Sequence, residues 1–242
     1  MERSALVTGG ASGLGRAAAL ALKARGFRVV VLDLKPGPDD LLYVEGSVVE
    51  EEEVRRAVEK AVGEAPLFAL VNAAGVAHAE KVLTREGPHG LAAFRRVLEV
   101  NLLGTFNALR LAAWAMRENS PDSEGQRGVI VNTASVAAYE GQIGQAAYAA
   151  SKAGVVGLTL PVARELSEWG IRVVTVAPGV FATPMLQGLP EKVQEALAAQ
   201  VPFPKRLGRP EEYAALVLHI LENPMLNGEV IRLDGALRLP PR

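Results

Sequence analysis

The chain has no cysteine, three histidines and only 5% aromatic residues. The absence of cysteine excludes a disulfide, an iron–sulfur cluster and a thiolate zinc site. His78, His89 and His219 are scattered along the chain, and no metal centre is expected from them. Excess charge of either sign is also missing: 26 basic against 27 acidic side chains leave a net charge of −1. That balance argues against nucleic acid as a partner, because phosphate neutralisation needs clustered Lys and Arg. No apolar run is expected to reach the ~18–20 residues of a membrane span, and no charged start precedes an apolar stretch as in a secretion signal. The chain therefore reads as a cytoplasmic, metal-free protein acting on a small molecule, with no membrane or nucleic-acid partner.

What the chain has is apolar residues, 49% of its 242 positions, in a regular alternation. Short runs at Ala5–Thr8, Arg28–Asp33, Leu42–Glu45, Leu67–Val71, Val129–Asn132, Ile171–Ala177 and Glu229–Leu233 read as strands. They are nearly continuous in apolar character, as strands buried on both faces are. Helical patterns separate them at Leu14–Arg25, Glu50–Val62, Leu91–Met116 (interrupted near Asn101 and Gly104), Ala146–Trp169, Glu191–Ala199 and Glu211–Glu222. Each link is long enough for a crossover. This predicts an α/β fold: one Rossmann-like, doubly wound sheet of about seven parallel strands, with helices on both faces. No linker divides the chain, so residues 1–242 form a single catalytic domain. The polar stretch Asn119–Arg127 reads as a mobile loop, and Pro161 should bend or loosen its helix.

Thr8-Gly9-Gly10-Ala11-Ser12-Gly13-Leu14-Gly15 lies between the first strand and the first helix. Glycines there allow a tight turn and close backbone approach, and a helix N-terminus offers free N–H groups to a pyrophosphate. Asp33 ends the second strand, where a carboxylate accepts hydrogen bonds from adenosine ribose hydroxyls and repels a 2′-phosphate. The expected cofactor is NAD rather than NADP, although Lys35 could soften the discrimination.

The spacing Gly9-x3-Gly13-x-Gly15 resembles that of the short-chain dehydrogenase/reductase family, and further motifs follow in order. Asn72-Ala73-Ala74-Gly75 resembles its Asn-Asn-Ala-Gly turn. Asn101, Ser135, Tyr148 and Lys152 fall where its catalytic tetrad falls, and Pro178-Gly179 with Thr183 resembles its nicotinamide-side loop. By this resemblance Gly9, Ser12, Gly13, Leu14, Gly15, Asp33, Asn72, Ala73, Gly75, Tyr148, Lys152, Pro178, Gly179 and Thr183 contact the cofactor. Where the family commonly has Asp followed by an apolar residue against adenine, this chain has Ser47-Val48, leaving a weaker hydroxyl and the Val48 backbone. The resemblance also implies a homotetramer, assembled through the Tyr148 helix and the Leu102–Met116 helix. It further implies that Asn101 kinks its helix and holds a water joining Lys152 to solvent.

The residue types suit hydride transfer at a secondary alcohol. Tyr148 and Lys152 are spaced i, i+4, so both project from one helix face. A phenol is a poor base at neutral pH; a neighbouring ammonium and a positive nicotinamide ring would lower its pKa. Ser135, at a strand end, could bond the substrate oxygen as charge develops. Residues 183–205 read as a substrate lid, with Met185, Leu186, Leu189, Val193, Leu197, Val201 and Phe203 divided between core packing and an apolar pocket. Substrate contacts are expected from Ser135, Tyr148 and Gln145, with Gln142 nearby. Segments 132–148, 200–208 and 222–235 resemble family members that interconvert 3-hydroxyacyl-CoA and 3-oxoacyl-CoA in fatty acid metabolism. Alternatives are a dehydrogenase of a hydroxysteroid or small hydroxy acid, an acyl-carrier-protein-linked reductase (disfavoured by Asp33 and Ser12), and a noncatalytic NAD-binding scaffold.

Overall fold

Strands form where the apolar runs are densest. The computed structural model describes residues 3–38, 40–188 and 190–241. The strands are β1 Ser4–Thr8, β2 Arg28–Asp33, β3 Leu42–Glu45, β4 Leu67–Asn72, β5 Gly128–Thr133, β6 Ile171–Pro178 and β7 Val230–Leu233. They make one parallel sheet in the order β3-β2-β1-β4-β5-β6-β7. Every residue of β1, β4, β5 and β6 is buried, which accounts for their unbroken apolar character.

The helices are α1 Gly13–Ala24, α2 Glu51–Val62, α3 Leu91–Leu98, α4 Gly104–Met116, α5 Ala146–Leu166, α6 Pro184–Gln187, α7 Glu191–Ala199 and α8 Pro210–Glu222. Alternate residues of each strand feed opposite layers. Leu6, Val30, Leu70 and Ile130 pack against α2 and α4, while Val7, Val31, Val71 and Val131 pack against α1 and α8. The acidic first turn of α2, Glu51–Glu53, faces its positive dipole end, and Lys60 sits in the last turn. Strand order reverses between β1 and β4, and a cleft opens there beyond the strands' C-terminal ends.

Three details bear on the expectations from sequence. Residues 119–127 are a loop, but a cross-tied one. Asn119 donates to the Leu67 and Arg127 carbonyls, Asp122 accepts the Glu124 and Gln126 N–H groups, and Arg172 donates to Gln126. Pro161, expected to bend or loosen its helix, lies inside α5, which runs 21 residues through it. The same helix, extended by one 3₁₀ turn to Trp169, is long and apolar enough to cross a bilayer by length and composition. Here its inner face lies on the sheet with Lys152 and Thr159 buried.

Candidate active site

The cofactor cradle is made by backbone approaching backbone. Gly9 has φ +68°, and a Cβ built on it would lie 2.6 Å from the main chain of Ala74. A Cβ on Gly15 would lie 2.3 Å from the Gly9 carbonyl oxygen. Only glycine fits at either position, so the turn stays flat against the Asn72–Gly75 segment and the α1 N-terminus is left open. Ser12 stands at the N-cap of α1, exposed, and its hydroxyl makes no capping bond. Thr183 approaches from across the cleft, within 3.5 Å of a Cβ on Gly13.

Asp33 Oδ2 accepts the Ala11 N–H at 3.0 Å, tying the glycine-rich turn to the end of β2, and Lys35 is exposed nearby. The Ser47 hydroxyl accepts the Val49 N–H, and Val48 is buried with its carbonyl bonded by Asn107. The Asn72 amide is engaged within the sheet, donating to Asn132 and to the Thr105 carbonyl and accepting from Thr8. Ala73 N–H bonds back to Thr8. Asn72 and Ala73 therefore shape the cradle by locking β1, β4 and β5 together. A cradle without room for side chains, an unused N-cap hydroxyl and a carboxylate at the β2 end fit a dinucleotide.

Four side chains converge at the cleft floor. Ser135 ends the turn after β5, and its hydroxyl accepts the Ala137 N–H at 3.1 Å. That leaves its hydrogen free to turn towards the neighbouring Tyr148 phenol, whose pKa Ser135 lowers. Burial pushes the Tyr148 hydroxyl above its ordinary value of 10.0, and the Ser135 hydroxyl pulls it back down. Lys152 is buried, donates to the Thr133 carbonyl at 2.8 Å, and lies 5.8 Å from the Tyr148 ring centroid. Burial lowers its pKa to about 8. In this arrangement Lys152 stands behind the Tyr148 ring and faces the Thr133 carbonyl.

Asn101 occupies a π-helical turn, Glu99–Leu103, between α3 and α4, where the helix was expected to be interrupted. It is fully buried and fully partnered: Nδ2 donates to the Val76 carbonyl and Ser151 hydroxyl, and Oδ1 accepts the Val76 N–H. Gly75 lies between Asn101 Oδ1 and Lys152 Nζ, with a Cβ there 3.3 and 3.6 Å from them. Asn101 thereby joins the turn after β4 to the helix carrying Tyr148. Its main-chain carbonyl accepts the Thr105 hydroxyl.

The side on which substrate is expected is looser. A cavity of about 380 Å³ opens beside the segment before α5, lined by Lys81, Val82, Gln142, Ile143, Gln145 and Ala149. Gln145 Oε1 accepts the Gln142 N–H, so both glutamines belong to one wall. The chain's end braces that wall: Gln142 donates to Pro240 O and Ile143 N–H to Pro241 O. Arg232 makes two bonds to Glu140, which holds the Glu140 carboxyl below its usual range. None of these braces was anticipated from the sequence. In the expected lid, Val201 is buried while Val193 and Phe203 are 42% and 82% exposed. Leu189 and the Met185 side chain lie outside the described residues. Pro178 ends β6 and Gly179 follows it, with the Gly179 N–H bonded to Leu233 O. The histidines also differ from their scattered appearance, because His78 and His89 meet around Glu80.

The sequence profile described as short chain dehydrogenase matches residues 3–194. The chain is 54% identical to the human protein named 3-hydroxyacyl-CoA dehydrogenase type-2, over 98% of this chain and 95% of that one. The Drosophila melanogaster protein of the same name is also 54% identical, over 98% and 97%. A crystal structure of 3-hydroxyacyl-CoA dehydrogenase type-2 from Mycobacterium avium superposes with a TM-score of 0.95 at 43% identity, covering 99% of this chain and 97% of that one. With this match over most of its length, the chain belongs to the short-chain dehydrogenase family and is an oxidoreductase.

Proposed function

We propose that the protein is an NAD-dependent dehydrogenase interconverting 3-hydroxyacyl-CoA and 3-oxoacyl-CoA. The observation that carries this reading is the similarity to proteins named for that activity, which extends over 98% of the chain and so includes the cleft walls as well as the cradle. The cofactor, when bound, supplies hydride transfer at the substrate carbon. The chain's own residues handle the oxygen. Tyr148 Oη takes the proton of a 3-hydroxyl during oxidation and returns it to the 3-oxo oxygen during reduction. The Ser135 hydroxyl stabilises negative charge on either oxygen as the proton moves. Lys152 keeps a positive charge behind Tyr148, oriented by the Thr133 carbonyl. Asn101 keeps the Val76 turn and the Ser151–Lys152 segment in register.

Asp33 supports NAD as the dinucleotide, since its carboxylate sits at the β2 end facing the cradle turn. Leu103, Phe106 and Trp114 on the π turn and α4, and Leu160 on α5, are exposed apolar side chains, which supports the expected homotetramer.

Turnover of acetoacetyl-CoA with NADH and NADPH in parallel, followed by nicotinamide absorbance, tests the reading. NADH oxidation should dominate, and Tyr148→Phe should lower kcat by about 10²–10⁴-fold while NADH still binds. Asp33→Ala should narrow the NADH preference about tenfold to hundredfold. Turnover of a hydroxysteroid or small hydroxy acid with none of acetoacetyl-CoA would overturn the substrate assignment and leave the oxidoreductase.

A further inference from the structure

Between β4 and α3 the chain makes a small excursion that the proposed reaction does not use. Leu83 and Pro88 form an antiparallel bridge, the His89 N–H donates to the Val82 carbonyl, and Thr84 closes the turn by bonding Gly87. This hairpin carries His89 back beside Glu80, nine positions earlier in the sequence. Histidine 78 reaches the same carboxylate from the other side. Its Nε2 lies 2.8 Å from Glu80 Oε2, and His89 Nδ1 lies 3.7 Å from that oxygen. One donor atom from each of the three residues falls within a 4.8 Å group.

The carboxylate is held in place independently of the imidazoles. Glu80 Oε1 accepts the Gly90 N–H at 2.8 Å, and the Glu80 N–H donates to Gly144 O at 2.9 Å. The His89 ring is set edge-on to Phe94 of α3 and to His78, with centroids 6.0 and 5.8 Å away. Exposure falls from 41% at His78 through 28% at Glu80 to 11% at His89, so the group is open on one side only.

From this geometry we propose that His78, Glu80 and His89 form a binding site for a divalent transition-metal ion of the zinc class. Two imidazoles and one carboxylate are a donor set that suits such ions. Donors about 2.0–2.1 Å from a tetrahedral ion lie about 3.3 Å apart, which the observed 2.8 and 3.7 Å separations bracket. The ion takes the place of the proton now shared between His78 Nε2 and Glu80 Oε2, and that proton leaves to solvent. His89 ligates as the Nε2–H tautomer, turning Nδ1 away from the Gly90 carbonyl, 3.0 Å off, towards the carboxylate. Water completes the coordination on the open side. The site is a brace rather than a catalytic centre. It clasps the two ends of a hairpin whose Lys81 and Val82 line the cavity beside Gln145. It does not depend on the identity of the substrate.

Cobalt(II) and zinc(II) titrations of the full chain, free of any polyhistidine tag, test the site. The expected result is one cobalt ion per chain with visible d–d absorption, displaced by zinc. Affinity should fall at least about tenfold in His78→Ala and in His89→Ala, with His219→Ala unchanged. Glu80→Gln, nearly isosteric, should also weaken binding and serves if an alanine variant fails to fold by circular dichroism. Binding well below one ion per chain overturns the proposal. So does binding that survives the His78→Ala/His89→Ala double variant, or binding lost in His219→Ala.

Discussion

The two walls of the cleft are built by different means. On the cofactor side, Gly9, Gly15 and the Asn72–Gly75 turn leave no room for an added methyl, and the polar atoms of Asn72 and Asp33 are bonded to neighbouring elements. On the substrate side, the wall from Gln142 to Gln145 is propped by residues nearly a hundred positions away, and Phe203 stands mostly in solvent. A wall made of backbone has one shape. A wall made of side chains on a loop can change shape by substitution, so one cofactor chemistry can be kept while substrates vary.

The largest effect expected from breaking this contrast comes from Gly15→Ala. Alanine favours a helix by about 1 kcal/mol, but its Cβ would meet the Gly9 carbonyl at 2.3 Å, and backbone cannot swing aside. Overpacking of this kind costs typically 1–3 kcal/mol. Denaturant unfolding should show a net loss of up to about 2 kcal/mol together with weakened NADH binding. Wild-type stability would place the rigidity elsewhere.

A comparable effect comes from the buried ammonium between the walls. Lys152 releases its proton near pH 8 when folded, against an ordinary 10.5. Between those values the unfolded chain binds more protons, so this group makes stability rise with pH. The slope is at most about 1.4 kcal/mol per pH unit, the limit for one proton. Tyr148, shifted upward, acts in the opposite direction above its ordinary value of 10.0, so the interval from pH 8 to 10 isolates the lysine. Unfolding free energies of wild type and Lys152→Met should diverge across that interval, wild type gaining. Parallel curves would mean that the amine is solvated.

The smallest stability effect is expected at Phe203→Ala. At 82% exposure the ring supports little of the fold, and unfolding should change by no more than about 0.5 kcal/mol. If the residue belongs to the acyl pocket, KM for longer acyl-CoA substrates should rise while kcat with acetoacetyl-CoA holds. A large loss of stability would show that the lid is part of the core.

Much of this division was legible before any coordinates. Unbroken apolar runs such as Val29–Leu32 identify doubly buried strands, and an amide inside Val97–Leu103 marked the helix interruption that became the π turn. The cradle was legible because close backbone approach demands glycine at fixed spacing. The partners of Asn72 and Lys152 were not, since Thr105 of α4 and Asn132 and Thr133 of β5 reach them only through the tertiary fold. Nor was the meeting of His78 and His89, which depends on a hairpin turn at Thr84–Gly87 with weak sequence marks. Residues 119–127 look like a free loop by composition. Their bonds to Leu67 and Arg172 depend on elements distant in sequence.

Helix α5 has a mechanical consequence. At 21 residues it is a beam about 30 Å long. Tyr148 and Lys152 sit near one end, while Gly157 and the exposed Leu160 lie farther along its length. A beam has no joint at which a displacement can be absorbed. Whatever seats against its outer side sets the position of the phenol oxygen with the same tolerance. A displacement of about 1 Å there can change the rate of a positioned reaction about a hundredfold. On the proposed role of Tyr148, the fit of a distant surface and the precision of proton transfer thus become a single dimension of the molecule.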